Sequence, residues 1–422
     1  MTSPSAAPPA TQGRWIFPLL LIFSVVFYSQ RYLFGWGPAD MTTYEHDMPD
    51  SIRIIKDIAW LGFLAAIFVR KFSGLDSVIA HLRRNWAFFA TLAAFAAWLA
   101  FSGFLHLVRG DSASDVLLFW YRYPLEYIPM AALMPLLLDD YGRLGRLTLA
   151  LALLAVLFTG LELFSGRQNS FQWSEEGPTR LGSIFGSPND YGVFCAFLLI
   201  VLVVYAGAKW HWLLVAGLAF GLVGSVSRCA WVGFVAGLLP LLNFRRVRIL
   251  FLGLVVTLAA LVLLAVKTDT AGLPTQAAYI LERTSGDESA YQRLDQIDQF
   301  ARRFSDLEDF FTLAFGTQFF RIEDQYLAFL IRSGAIGLIL FLAAMAQTLH
   351  RGWKLRQRSK LHAVGLSTVV VILTASLFVP FLDVFPTNLY FWIAVGMIWL
   401  PLEAATGREP SGAASHTAGT KA

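Results

Sequence analysis

Long apolar blocks with few charges, separated by short polar breaks, recur along this chain. A helix needs roughly 20 apolar residues to cross the hydrocarbon core of a bilayer, and its backbone amides must bond internally there. The pattern therefore predicts an all-α polytopic membrane protein. Twelve spans are expected: Trp15–Ser29, Asp57–Val69, Trp86–Val108, Val116–Leu138, Leu147–Phe164, Tyr191–Ala208, Trp210–Val226, Cys229–Asn243, Ile249–Val266, Tyr326–Leu349, Ala363–Leu382 and Leu389–Leu402. The segments outside them, 1–14 and 403–422, are small, polar and rich in Pro, Ala, Ser or Gly, and are expected to be disordered. The first block lacks a charged leader and a clear cleavage site, so a cleaved signal peptide is not expected.

Composition excludes the rival classes. Hydrophobic residues make up 56% and charged residues 15% of the chain, whereas soluble domains carry about 25% charged residues. A disordered scaffold, a collagen-like fibre and a disulfide-stapled secreted domain are all ruled out. The net charge of +4 does not point to nucleic acid, because the basic residues sit in breaks between apolar blocks. Cys195 and Cys229 lie in apolar stretches without metal-like spacing and read as packing residues.

Lys and Arg fix an expected orientation. The breaks holding Arg70, Lys71, Arg83 and Arg84, then Arg143 and Arg146, Lys209, Arg245 to Arg248, and Arg351 to Lys360 alternate correctly with twelve spans. The positive-inside rule makes them cytoplasmic, with both termini, in a bacterial inner (plasma) membrane. The opposite, periplasmic face carries Gln30–Lys56, Ser165–Asp190 and Lys267–Gln325. In the last of these, Leu294, Ile297, Phe300, Phe304 and Leu307 recur at helical spacing among Arg293, Asp295, Asp298, Arg302 and Arg303, which predicts a short amphipathic helix. Its apolar side suits a membrane surface, and a site on its polar side is compatible with that.

Candidate chemistry gathers on the same face. Arg180 opens the run RLGSIFGSPNDYG, in which Asn189 or Asp190 is expected to cap the following helix. A glycine-flanked backbone beside an Arg and a helix N-terminus suits an anion; a re-entrant turn with an interfacial Arg explains the run equally well. Arg228, in Ser225–Arg228, reads as an Arg in an outward polar cavity or as one snorkelling to the interface. Arg122 and Glu126 are spaced to pair on one helix face. Arg321, Glu323 and Asp324 precede the tenth span, where the carboxylates could cap the helix or serve as a general base; Arg332 lies two turns further on. Arginines that hold a pyrophosphate and a carboxylate that orients a hydroxyl would together suit transfer from a pyrophosphate-linked donor. An anion transporter would also want such arginines. No metal or other cofactor is expected, since no His/Asp/Glu cluster has ligand spacing.

RLGSIFGSPNDYGVF (Arg180–Phe194) followed by SVSRCAWVGF (Ser225–Phe234) resembles the O-antigen ligase/polymerase family. The long loop with Ser289–Arg293, then Gly316, then EDQYLAFLIRSGAIGL (Glu323–Leu338) is similar to that family's periplasmic loop, and the resemblance spans Leu147 to Leu349. It implies a metal-independent glycosyltransferase acting on undecaprenyl-pyrophosphate-linked glycan at the periplasmic face. It further implies that Arg180 and Arg293 contact diphosphate or glycan, with Arg228 in support. Ligases of the family carry His-Asn before the Tyr-Leu of the next helix; this chain has Glu323-Asp324 there and no His in the loop. A polymerase of O-antigen or exopolysaccharide repeat units is therefore expected ahead of a ligase to lipid A-core or protein, with a lipid-linked sugar flippase as the rival from another class. The expected site is Glu323, Asp324 and Arg293 for catalysis, and Arg180, Arg228, Arg293, Asn189 and Arg321 for binding. Expected partners are the lipid-linked oligosaccharide, membrane lipids, a flippase and a chain-length regulator, and no nucleic acid.

Overall fold

The computed structural model describes residues 57–65, 67, 75–137, 141–165, 181–183, 188–205, 210–253, 298, 324–383 and 387–402, and all regular structure among them is helical. The principal helices are α1 (Leu75–Arg84), α2 (Trp86–Val108), α3 (Pro129–Leu137), α4 (Tyr141–Ser165), α5 (Pro188–Tyr205), α6 (His211–Gly224), α7 (Arg228–Leu238), α8 (Gln325–Leu355), α9 (Lys360–Ala375) and α10 (Thr387–Trp399). Three of them, α2, α5 and α8, are long and apolar enough to cross a membrane, and five further apolar helices are shorter. The first expected span, most of the ninth and the amphipathic helix of the long loop, apart from Asp298, lie outside the described residues.

Helices α5, α9 and α10 form the centre and bury nearly every residue, as all-round apolar helices must. Around them α2, α4, α6 and α8 turn large apolar side chains outward, including Phe104, Phe164, Leu213 and Ile339. Apolar surface on this scale needs a cover, and lipid supplies one to a bundle of this composition. Two small-residue pairs let backbones approach closely. A Cβ on Gly233 of α7 would lie 2.8 Å from the Val371 carbonyl oxygen of α9, and one on Gly237 would lie 2.4 Å from Val371 Cγ2. On α6, Gly217 meets Val156 and Gly221 meets Tyr191 in the same way.

The fourth expected span is not one helix. A turn of helix at Ala113–Val116 passes into a π-helical segment at Leu117–Arg122, a short helix at Tyr123–Leu125, a turn, and then α3. Pro124 and Pro129 explain the break, because each lacks an amide donor and disfavours helix in the residue before it. Arg122 ends the π segment and Glu126 begins the turn, so the expected i,i+4 pair does not share a continuous α-helical face. Helix α8, Gln325–Leu355, is two helical segments joined at a kink at Gly334, whose φ is 67° and ψ −178°.

The two ends of the bundle differ. At one, Arg351 bonds the Ile398 carbonyl at 3.0 Å and reaches those of Trp399 and Leu400, capping α10. At the other, the Gln325 amide that opens α8 donates to Ser376 O at the end of α9. Because Gly233 also packs on Val371 and Ala375, the first turn of α7 lies at this second end. Helix α2 runs antiparallel to α8, with Gln347 bonded to Thr91 and Ser102 bonded to the Arg332 carbonyl, so its C-terminus reaches the same end.

Candidate functional site

Of the expected site residues, Asn189, Arg228 and Asp324 are described, and all three lie at the Ser376 end of the bundle. Arg180, Arg293, Arg321 and Glu323 lie outside the described residues. The two sequence runs that carry the family resemblance meet directly: Ser227 Oγ donates to Asn189 Oδ1 at 2.9 Å. Gly192 permits the contact, since a Cβ there would lie 2.7 Å from Ser225 Oγ and 2.8 Å from Ala230 Cβ. The turn between α6 and α7 carries Val226 at φ 48° and is tied back by Trp231 Nε1 donating to Leu222 O. Arg228 is the first residue of α7 and is half-buried.

Neither Asn189 nor Asp190 is the cap expected for α5. The helix begins one residue earlier, at Pro188, and both lie within its first turn. Proline suits the first helical position, where its φ is preset and its missing amide is not needed. Asp190 still complements the positive end of the helix.

The backbone after Arg180 is held by a carboxylate from within the chain. Glu162 of α4 is 3% exposed and accepts from the amides of Gly182 at 3.3 Å and Ser183 at 2.7 Å. The Leu181 amide donates to Gly224 O, and Ser183 adopts a positive φ of 47°. Successive amides converging on a carboxylate form an anion cradle. In the described part of this run, the Gly182 and Ser183 amides are thus occupied by the protein's own Glu162. Glu162 is the one acid in its apolar block, which is the sequence signal for its role.

At the start of α8, Asp324 is the helix cap: its Oδ1 accepts from the Tyr326 and Leu327 amides, both at 2.8 Å. Gln325 is fully buried and links α8 to the 381–383 turn, accepting from the Leu382 amide at 2.9 Å and donating to Asp383 Oδ1 at 3.2 Å. Arg332 Nη1 donates to Asp383 Oδ2 at 2.5 Å. The break at Gly334 leaves carbonyls that the helix would otherwise use. Trp120 Nε1 and Ser102 Oγ both bond Arg332 O at 2.8 Å, and Trp98 Nε1 bonds Ser333 O at 2.6 Å. A bent membrane helix keeps its shape only when neighbours satisfy its freed backbone in this way. Sequence reasoning identified Arg332 and missed Asp383, Gln325 and the tryptophans, because the contacts join segments far apart in the chain.

A further polar pair at this end is His106 of α2 and Asp111, 2.6 Å apart. Among the described residues no group of three His, Cys, Asp or Glu side chains is arranged to hold a metal ion. No protein-family model and no curated protein sequence matches the chain.

Proposed function

We propose that this chain is a membrane glycosyltransferase that polymerises polyprenyl-pyrophosphate-linked oligosaccharide units into O-antigen or exopolysaccharide. The observation that carries the reading is the hydrogen bond between Asn189 and Ser227, which unites two sequence runs similar to those of the O-antigen ligase/polymerase family. Asp324 and Arg228 at the same end of the bundle support it. In this reading Arg180, Arg228, Arg293 and Arg321 hold the pyrophosphate and stabilise it as it leaves. Asn189 belongs to the binding surface, and Glu323 and Asp324 orient the attacking hydroxyl. The Asp324 Oδ1 engaged in the helix cap favours Glu323 as the acting member. The site faces the periplasm in a bacterial inner membrane and works with a flippase and a chain-length regulator. Transfer to lipid A-core or protein is the variant with a different acceptor.

A second reading, transport of the lipid-linked sugar, is favoured by the bend of α8 at Gly334, since transporters bind substrate at interrupted helices. One experiment separates these. A deletion strain is complemented with wild type, Arg180→Ala, Arg293→Ala or Glu323→Ala, and its glycan and lipid-linked intermediates are analysed. Single units accumulating at the outer face, unrescued by the variants, are expected of a polymerase. Long chains left on the carrier indicate a ligase, and units trapped at the cytoplasmic face indicate a transporter.

A further inference from the structure

Between Gln325 and Leu382 the chain carries no Asp or Glu, while Lys354, Arg356, Arg358 and Lys360 crowd into the turn that joins α8 to α9. Lys354, Arg358 and Lys360 are exposed, and Arg356 is half-buried. Among the described residues the side chains of Lys354, Arg358 and Lys360 make no hydrogen bond or ion pair. Arg351, one turn earlier, is already engaged by the carbonyls of α10. A cation in the last turn of α8 complements the helix dipole, which accounts for Lys354. Lys360 opens α9, where the dipole disfavours a cation. The fold itself therefore gives no reason for this cluster.

Beside the cations lies an exposed apolar track. Ile339, Leu342, Ala346 and Trp353 follow one another at helical spacing, which keeps them on one face of α8, and all four are exposed. From Leu342 to Trp353 the helix rises about 16 Å, close to the roughly 15 Å depth of one hydrocarbon leaflet. Trp353 carries Arg356 on its ring: the guanidinium carbon lies 3.5 Å from the ring centroid, and Nη1 donates to Trp353 O at 2.5 Å. The guanidinium is thereby held flat at the head of the track, with N–H donors to spare. A second exposed tryptophan, Trp86, opens α2. The bond from Gln347 to Thr91 sets the two antiparallel helices in register, and Trp86 precedes Thr91 by about as much as Trp353 follows Gln347. The two rings thus stand at one level, as tryptophans do at the edge of the hydrocarbon.

We propose that the α8–α9 turn is a binding site for an anionic phospholipid of the bilayer. Arg356 holds the phosphate through its planar fork of N–H donors, with Arg358 and Lys360 beside it. An acyl chain of the same lipid lies along Trp353, Ala346 and Leu342. Charge fixes the kind of lipid: cations without a neighbouring acid prefer an anionic headgroup to a zwitterionic one. The apolar track fixes the source of the phosphate, because a free anion in water would make no use of it.

The test uses the full chain purified in a mild detergent. Native mass spectrometry counts the lipid retained from an equimolar mixture of phosphatidylglycerol and phosphatidylcholine, and thermal unfolding is followed with each lipid alone. Wild type is expected to retain phosphatidylglycerol at least about tenfold over phosphatidylcholine and to melt higher with it, since each cation near an anionic headgroup is worth about fivefold. Salt at about 1 M should erase most of this preference. Arg356→Gln combined with Arg358→Gln should lower the preference at least about fivefold. Arg245→Gln combined with Arg248→Gln, exposed arginines that follow α7, should leave it largely intact. Equal retention of the two lipids by wild type overturns the site. An equal loss in the Arg245 and Arg248 variant overturns it too, because overall charge would then explain the preference. A rise in melting temperature with inorganic phosphate as large as that with phosphatidylglycerol would assign the cations to a free anion and overturn the lipid.

Discussion

Arg332 and Asp383, 51 residues apart in sequence, form an ion pair inside the helix bundle with side chains 4% and 7% exposed. Gln325 shares the carboxylate, so α8 and the turn before α10 are locked together at the end where the candidate site lies. The pair's own attraction is largely offset by the cost of removing two charges from water. Its contribution is to fix geometry, and the penalty appears when one partner is lost.

Arg332→Met or Asp383→Leu alone is accordingly expected to destabilise the protein by about 3–5 kcal/mol, because the other charge is left buried. The double variant should recover a large part of that loss. Thermal unfolding in detergent across the double-mutant cycle checks this. Additive losses would mean that the two side chains do not act as a pair.

Gly334 adopts a backbone conformation that is essentially confined to glycine. Gly334→Ala should cost about 1–3 kcal/mol if the bend is kept. If the helix straightens instead, the Arg332 and Ser333 carbonyls return to the helical ladder and release Trp98, Ser102 and Trp120. Near-ultraviolet circular dichroism distinguishes the outcomes, since loss of the Trp98 and Trp120 bonds changes the tryptophan signal. A spectrum and stability both equal to wild type count against a required bend.

The parts of this fold legible in sequence are those set by local pattern. The bounds of α2, Trp86–Val108, were readable because its run carries no Asp, Glu, Lys or Arg and is flanked by Arg84 and Arg109. The start of α8 was readable because Asp324 caps a long apolar stretch, and capping was one of its two expected roles. The broken fourth span was missed although Pro124 and Pro129 signalled it, because hydropathy outweighed backbone chemistry in the prediction. Gly334 gave no signal, since an isolated glycine in a helix pattern is ordinarily tolerated. The Arg332–Asp383 pair, the Asn189–Ser227 bond and the Glu162 cradle each join distant segments, and periodicity carries no information about such contacts. Arg332 stood out as an ion in an apolar span, and Glu162, a lone acid in its apolar block, carried the same signal unread.

His81, on α1 and 3% exposed, yields a pH prediction. Burial first, and then the positive field of Arg351, push its pKa down to about 4 from 6.5. Its Nδ1 lies 3.2 Å from the Asn85 side-chain amide, which can only donate, so Nδ1 must keep its lone pair. The unfolded chain binds this proton more readily than the folded one, and stability therefore falls as pH drops from about 6.5 towards 4. A shift of this size corresponds to a loss on the order of 3 kcal/mol once both pKa values are passed. The melting temperature against pH should show the decline in wild type and lose most of it in His81→Gln. An identical decline in that variant would assign it to other groups.

Glu162 makes the last prediction. Its two oxygens satisfy the amides of Gly182 and Ser183, the residues that follow Arg180 by two and three positions. Glutamine has the same shape but offers only one acceptor oxygen, and its NH₂ group would face an amide donor. Glu162→Gln should therefore cost about 1.5–3 kcal/mol, the range for hydrogen bonds to a charged group. The loss should be local. Amide hydrogen exchange is expected to accelerate at Gly182 and Ser183, with little change at the Gln325 amide, which bonds to Ser376 O on a different pair of helices. Because the peptide next to Arg180 loses its anchor, glycan synthesis in the complementation assay should fall as well, and combining Glu162→Gln with Arg180→Ala should add little to the Arg180→Ala defect. Unchanged exchange at both amides would show that the cradle does not depend on the Glu162 charge. Faster exchange with full glycan synthesis would separate the cradle from the function of Arg180.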